Sequence, residues 1–261
     1  MRDDDDMAAD HSNVHLVEAI DDVMLQTLSL ARDLTEADAD LPTDCPGWTV
    51  RDVLAHMVGV EAVLQGAPQP AVDLPDLDHV VNEFDEYMEQ HVQIRRQLPL
   101  SSIADELAGL RSRRIPTLKS LAKQGDPEVS SPFRDQPMSK AMPIRVFDLW
   151  AHEQDIRRAV GLPARVDCAA AEISMERGLL GWTHVLPKLL DQPATVSIDV
   201  AGRPDLSTEF EVDGGGDEVA IRGDLATLTA LFCGRGEQPS GVLTGADALV
   251  AALDGRLGLT P

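Results

Sequence analysis

His56, Asp148 and His152 are the residues of this 261-residue sequence whose types and spacing most directly suggest chemistry. Asp148 and His152 stand four apart in IRVFDLWAHEQDIRRAV, a stretch that reads as helix, so both side chains fall on one face about a turn apart. A carboxylate and a neutral imidazole placed so can grip one ion, and they suit a borderline cation of the Zn²⁺ kind. Two ligands are too few. His56, inside TVRDVLAHMVGVEAVLQG, is a candidate third from a neighbouring helix. Three protein ligands with a fourth position open is the arrangement of a catalytic rather than a structural metal site.

Each of these residues also has a simpler reading. An acid and a histidine at this spacing commonly form a surface ion pair. His56 lies among Val53, Leu54, Met57, Val58 and Val60, where a core histidine satisfied by a backbone carbonyl is common. His152 has Trp150 and Ile156 as neighbours, and a polar ring in such company needs a partner. Asp52 and Asp155 are close enough in sequence to orient the two imidazoles from behind. A helix-capping acid and a solvated face are the preferred readings of those two.

Helical periodicity must position these residues. Val14, Val17, Ile20, Met24, Leu28 and Leu30 predict a first amphipathic helix over 14–34. TDCPGW enforces a turn, and Thr49 with Asp52 has the spacing of a capping box at the start of a second helix that ends near Gly66. A third helix is predicted over 76–96, and a fourth over about 101–124 with Pro116 as a candidate kink. GDPEVSSPFRDQP is expected to be a long loop. A fifth helix covers roughly 139–160 and a sixth about 168–190. Beyond Pro193 the pattern changes: ATVSIDV, STEFEVD and DEVAIRG read as short strands, and DLATLTALFCG and ADALVAALDG as short helices. The expected organisation is an acidic tail over 1–12, a helical part over 13–192 and a small α/β module over 193–261.

Composition excludes several partners. A net charge of -23 disfavours nucleic acid and anionic membrane surfaces, and leaves an anionic substrate dependent on a local Arg. No apolar run approaches the roughly 20 residues of a membrane helix. The N-terminus, MRDDDDMAADHS, is acidic where a signal peptide is basic and then apolar. Cys45, Cys168 and Cys233 are odd in number and show no CxxC spacing, so a reducing, cytoplasmic setting is expected. Cys45 and Cys233 have no histidine near them in sequence and read as small packing residues. Trp48, Trp150 and Trp182 read as core or pocket wall, with core preferred.

CPGWTVRDVLAHMVGVE, followed about ninety residues later by RVFDLWAHEQDIRRAVGLP, resembles the mycothiol-dependent maleylpyruvate isomerase family among the DinB-like metal-binding helical bundles. The resemblance covers nearly the whole chain. It implies an α plus α/β fold, with an N-terminal DinB-like four-helix bundle followed by a small sterol-carrier-like α/β module. It implies metal ligation by His56, Asp148 and His152, with Asp148 standing where the family usually has Glu. It further implies a divalent metal, Zn²⁺ by preference, and mycothiol as thiol cosubstrate. The metal lowers the thiol pKa, and the resulting thiolate adds to a small electrophile for isomerisation or transfer. Arg222 and Arg235, from the C-terminal module, are the candidate anion clamp, with a surface role as the alternative for each. Two other functions fit the same sequence: a non-catalytic metal- or small-molecule-binding protein, and a carrier of apolar molecules resting on the C-terminal module alone. The electrophile and the oligomeric state stay open.

Overall fold

The structure, a computed structural model, describes residues 11–131 and 134–259. Residues 1–10, most of the expected acidic tail, and Pro132 and Phe133 of the expected loop lie outside the described residues. The chain forms two compact units that divide between Ala164 and Arg165.

The first unit is helical. It contains α1 (Asn13–Asp33), a single turn α2 (Glu36–Ala39), α3 (Val50–Leu64), α4 (Glu83–Gln93), α5 (Leu100–Leu121) and α6 (Met138–Ala159). Helices α1 and α3 each pack on both α5 and α6, which makes a four-helix bundle with α4 laid against α3. Helix α1 starts where the Ser12 side chain accepts from the backbone N–H of His15, and it buries Leu16, Ile20, Val23, Met24 and Leu28. These recur at intervals of three and four, as a helix facing one core requires.

Helix α3 is buried on nearly all sides, with Val53, Leu54, Ala55, His56, Met57 and Val58 at most 4% exposed. A helix this apolar all round belongs in the centre of its unit. It begins with the expected capping box: Thr49 Oγ1 accepts from the Asp52 backbone N–H, and Asp52 accepts from the Thr49 backbone N–H at 3.0 Å. The preceding turn is closed by a bond from Thr43 N–H to the Trp48 carbonyl, and it brings the His79 ring over Gly47. Gly47 has φ +74°, and a Cβ there would sit 2.2 Å from His79 Nδ1, so glycine is required on both counts.

The third helix is shorter than its predicted span of 76–96. It starts at Glu83 because Asn82 caps it, accepting from the N–H groups of Phe84 and Asp85. Pro68, Pro70 and Pro75 fall in the segment before it, where an extended chain suits proline. Phe84 and Ile94, read as part of its apolar face, are 45% and 43% exposed. Helix α5 runs on both sides of Pro116. The expected loop before α6 contains a two-residue antiparallel pair, β1 (Glu128–Val129) with β2 (Gln136–Pro137).

Helices α3 and α4 meet closely at Gly59. A Cβ built there would lie 2.4 Å from Cβ of His91 and 2.6 Å from its Cγ, atoms near the α4 backbone that cannot swing away. Gly59→Ala gains up to about 1 kcal/mol of helix propensity. It also overpacks the interface by about 1–3 kcal/mol. A net loss of stability is expected, and a thermal melt of the variant with an unchanged or higher midpoint would refute the close approach.

The second unit contains α7 (Ala169–Leu189), β3 (Ala194–Val200), β4 (Thr208–Val212), β5 (Asp217–Gly223), α8 (Leu225–Phe232), β6 (Leu243–Gly245) and α9 (Asp247–Leu253). The sheet order is β4-β3-β5-β6, with β3 and β5 parallel and the other pairs antiparallel. Helix α7 packs on α8, α9 and β4, and so groups with the strands. Its Trp182 is fully buried, meets Phe232 edge to face and donates from Nε1 to the Leu257 carbonyl at 2.8 Å. Trp150 is likewise buried in the first unit. Strand β6, three residues long, is too short to show alternation in the sequence. Among the described residues no helix is long and apolar enough to cross a membrane.

Candidate metal centre

Helix α6 presents Arg145, Asp148, His152 and Asp155, spaced three, four and three apart, as one polar stripe along one face. Helix α3 places His56 opposite. His56 Nε2 and His152 Nε2 each lie 3.6 Å from Asp148 Oδ1, and the two rings are 4.7 Å apart between centroids. The three candidate ligands read from the sequence are therefore brought together. Their separation is too long for hydrogen bonds. Two donors on a tetrahedral ion with bonds of about 2.0–2.1 Å lie about 3.3–3.4 Å apart, so the spacing suits a shared cation.

His56 is 4% exposed, and neither of its ring nitrogens has a hydrogen-bond partner. A buried imidazole satisfied by a backbone carbonyl, the simpler reading of the sequence, is not what the fold provides. The side chain of Asp148 is 30% exposed and leaves one flank of the trio open to solvent.

Among the described residues a second group, Cys45, His152 and Asp155, also brings ligand atoms within 4.8 Å of one another. That group is bonded internally. Cys45 Sγ donates to Asp155 Oδ2 at 3.0 Å, and the same oxygen lies 3.1 Å from His152 Nδ1. It therefore serves as support: a carboxylate on Nδ1 fixes the ring and leaves Nε2 to face Asp148 and His56. Asp155 is 2% exposed, which corrects its assignment to a solvated face. Cys45 is buried as expected, yet it touches this network across 110 residues of sequence, a partnership that nothing local in the chain announces. Asp52 keeps its capping role and also pairs with Arg96 at 3.0 Å.

Trp48 forms a wall rather than core. Its ring lies 4.9 Å from that of His56, and its Nε1 donates to Glu89 Oε2 at 2.8 Å. Glu89, fully buried on α4, also takes His79 at 3.1 Å and Arg96 at 2.9 Å. The loop before α4 and the turn before α3 are thus fastened to one carboxylate beside the site.

The electrostatics follow from burial and neighbours. Burial pushes the His56 imidazole down, with Asp148 pulling the other way. Burial, His56 and Arg95 together bring His91 to about 4. Burial also opposes charge on His152, but Asp155, Cys45 and Asp148 outweigh it and push the ring up to about 10. For Asp148, burial is likewise outweighed, and Arg145, His56 and His152 hold the carboxyl well below the usual range. His152 would have to give up a proton before its Nε2 could ligate, so any metal uptake here would be coupled to proton release.

Residues 20–157, more than half of the chain, match the family described as the mycothiol maleylpyruvate isomerase N-terminal domain. The chain belongs to this family. A crystal structure of the mycothiol-dependent maleylpyruvate isomerase aligns with a TM-score of 0.57 and 16% identity, covering 90% of this chain and 92% of that one. A histidine-to-alanine mutant of that enzyme aligns with a TM-score of 0.52 and 17% identity over the same shares. At such identities the likeness is one of fold, and it spans both the helical unit and the sheet-bearing unit. No match was found among curated proteins. The family assignment agrees with the resemblance carried by the two motifs around His56 and Asp148.

The two arginines expected as an anion clamp belong to the second unit. Arg222, on β5, is exposed and bonded to Asp199 Oδ2 and Thr244 Oγ1, both at 2.8 Å. Arg235 follows α8, is 7% exposed and donates to the Cys233 carbonyl at 2.7 Å.

Proposed function

We propose that this chain is a metal-dependent enzyme that turns a low-molecular-weight thiol, mycothiol, on a small electrophile, by isomerisation or by transfer. The observation that carries the reading is buried His56, with two unpartnered nitrogens, facing Asp148 and His152 at non-bonded distance. His56, Asp148 and His152 would hold one divalent ion of the Zn²⁺ kind and leave a fourth position for the thiol. When bound, such an ion lowers the pKa of a thiol so that thiolate is present near neutral pH.

The remaining roles are this chain's own. Asp155 accepts from His152 Nδ1 and fixes its tautomer. Trp48 shields His56 on one side. The exposed flank at Asp148 admits the thiol and its electrophile. Arg222 and Arg235 stay the candidates for a substrate carboxylate, each having to exchange a present partner for it. No cysteine is in a disulfide, in keeping with a reducing cytoplasm as the setting.

The test is turnover. Zn²⁺-loaded protein, mycothiol and a panel of conjugated cis-enoyl keto acids and other electrophiles should react faster than the uncatalysed mixture, and only with both thiol and metal present. Isomerisation regenerates the thiol and leaves the product mass unchanged; transfer adds the mass of the thiol. Rates equal to the uncatalysed ones across the panel would reject the enzyme in favour of a non-catalytic binder.

A further inference from the structure

The three ligands leave unexplained why a buried guanidinium stands against one of them. Arg145 is 5% exposed and lies one turn before Asp148 on α6. Its Nη1 donates to Asp148 Oδ2. Its Nε and Nη2 donate to Glu61 Oε2 on α3 at 3.3 and 3.2 Å, and Nη2 also reaches the Met57 carbonyl at 3.1 Å. Glu61, 1% exposed, pairs through its other oxygen with Arg114 Nε of α5 at 3.2 Å. The guanidinium is thus fixed from three directions, and its fork is pointed at Asp148 by the same helix that carries His56.

We propose that Arg145 is a positioning residue that makes Asp148 a one-oxygen ligand, keeping Oδ1 toward the two imidazoles and withholding Oδ2. The inference rests on the metal reading given above. Oδ1 is the atom 3.6 Å from both histidine nitrogens, while Oδ2 is the atom engaged by Arg145. A carboxylate released from that bond can chelate through both oxygens and take up the position that a thiol needs. The arrangement also settles the charge. Glu61 and Asp148 balance Arg114 and Arg145, so these four side chains carry no net charge.

Co²⁺ substituted for Zn²⁺ tests this, because its visible spectrum reports coordination number while a competing chromophoric chelator reports affinity. Arg145→Gln is expected to lower metal affinity by about 10–100-fold, the range for loss of a group that orients a ligand. It should also weaken and shift the Co²⁺ band as the coordination number rises. Arg145→Lys keeps the charge but cannot span Glu61 and Asp148 together, so it should show the same change in the spectrum with a smaller loss of affinity. A merely structural arginine would lower the melting temperature and leave the Co²⁺ spectrum of the folded variant untouched. That result, with wild-type affinity, in either folded variant would overturn the proposal. If Arg145→Gln does not fold, Arg145→Lys decides on the same two readouts. Failure of the underlying metal reading is seen separately, as wild-type protein that takes up neither ion.

Discussion

His56→Ala is expected to abolish stoichiometric metal binding while leaving the protein folded. The wild-type chain should carry about one Zn²⁺ per molecule, since the described residues supply three ligand atoms within 4.8 Å and a fourth position is left for solvent or thiol. Removing a ligand outright should cost more than the about 10–100-fold that accompanies loss of an orienting group. The stability of the chelator-treated protein should change far less. The buried ring of His56 makes no hydrogen bond, so the cavity left by truncation is partly offset by removal of two unsatisfied polar atoms. The two measurements together are decisive. Metal at 100 times its Kd stabilises a protein by about 2.7 kcal/mol, and this increment should vanish in His56→Ala and in His152→Ala. Metal content and metal-dependent melting shift retained in both variants would reject the site.

Glu61→Ala should have the largest effect on stability. Glu61 is the counter-ion of two guanidiniums, Arg114 and Arg145, that are themselves 8% and 5% exposed. Burial already pushes the Arg114 guanidinium down, with Glu61 the attraction that opposes it. Taking away one member of a buried ion pair costs about 3–5 kcal/mol, because the partner stays desolvated and uncompensated. Arg145 retains Asp148, whereas Arg114, among the described residues, retains the Leu64 carbonyl at 3.1 Å. Most of the loss should therefore come from Arg114. Urea unfolding should show a lower midpoint at unchanged slope, and Arg114→Leu combined with Glu61→Leu should recover most of the difference. A double variant no more stable than Glu61→Ala would show that repulsion and desolvation are not the cause.

The helices were legible because their causes are local. The capping box at Thr49 and Asp52, the three-four spacing of α1 and the apolar run of α3 each declare themselves within a few residues. The candidate ligands on α6 were legible for the same reason, since Asp148 and His152 are a single turn apart. Arg145 and Asp155 extend that stripe at intervals of three on either side, but the sequence singles out no role for Arg145, because periodicity alone does not say which polar residues of a face are used. Asp155 reads from sequence either as an acid orienting an imidazole or, by preference, as a solvated face, and which it is depends on what packs against the helix.

Sequence by itself determined the family, the bundle with its sheet-bearing partner, and three residues able to hold an ion. The rest belongs to contacts made across the chain. Only the tertiary structure put Cys45 on Asp155, Trp48 against His56 and Glu61 between two arginines, because these pairs are separated by 8 to 110 residues and meet only when helices pack. It also decided what surrounds Asp148. Helix geometry fixed its place beside His152 and Arg145, but the packing of α3 and α5 supplied Glu61 and Arg114, the buried network that holds Arg145 on its second oxygen.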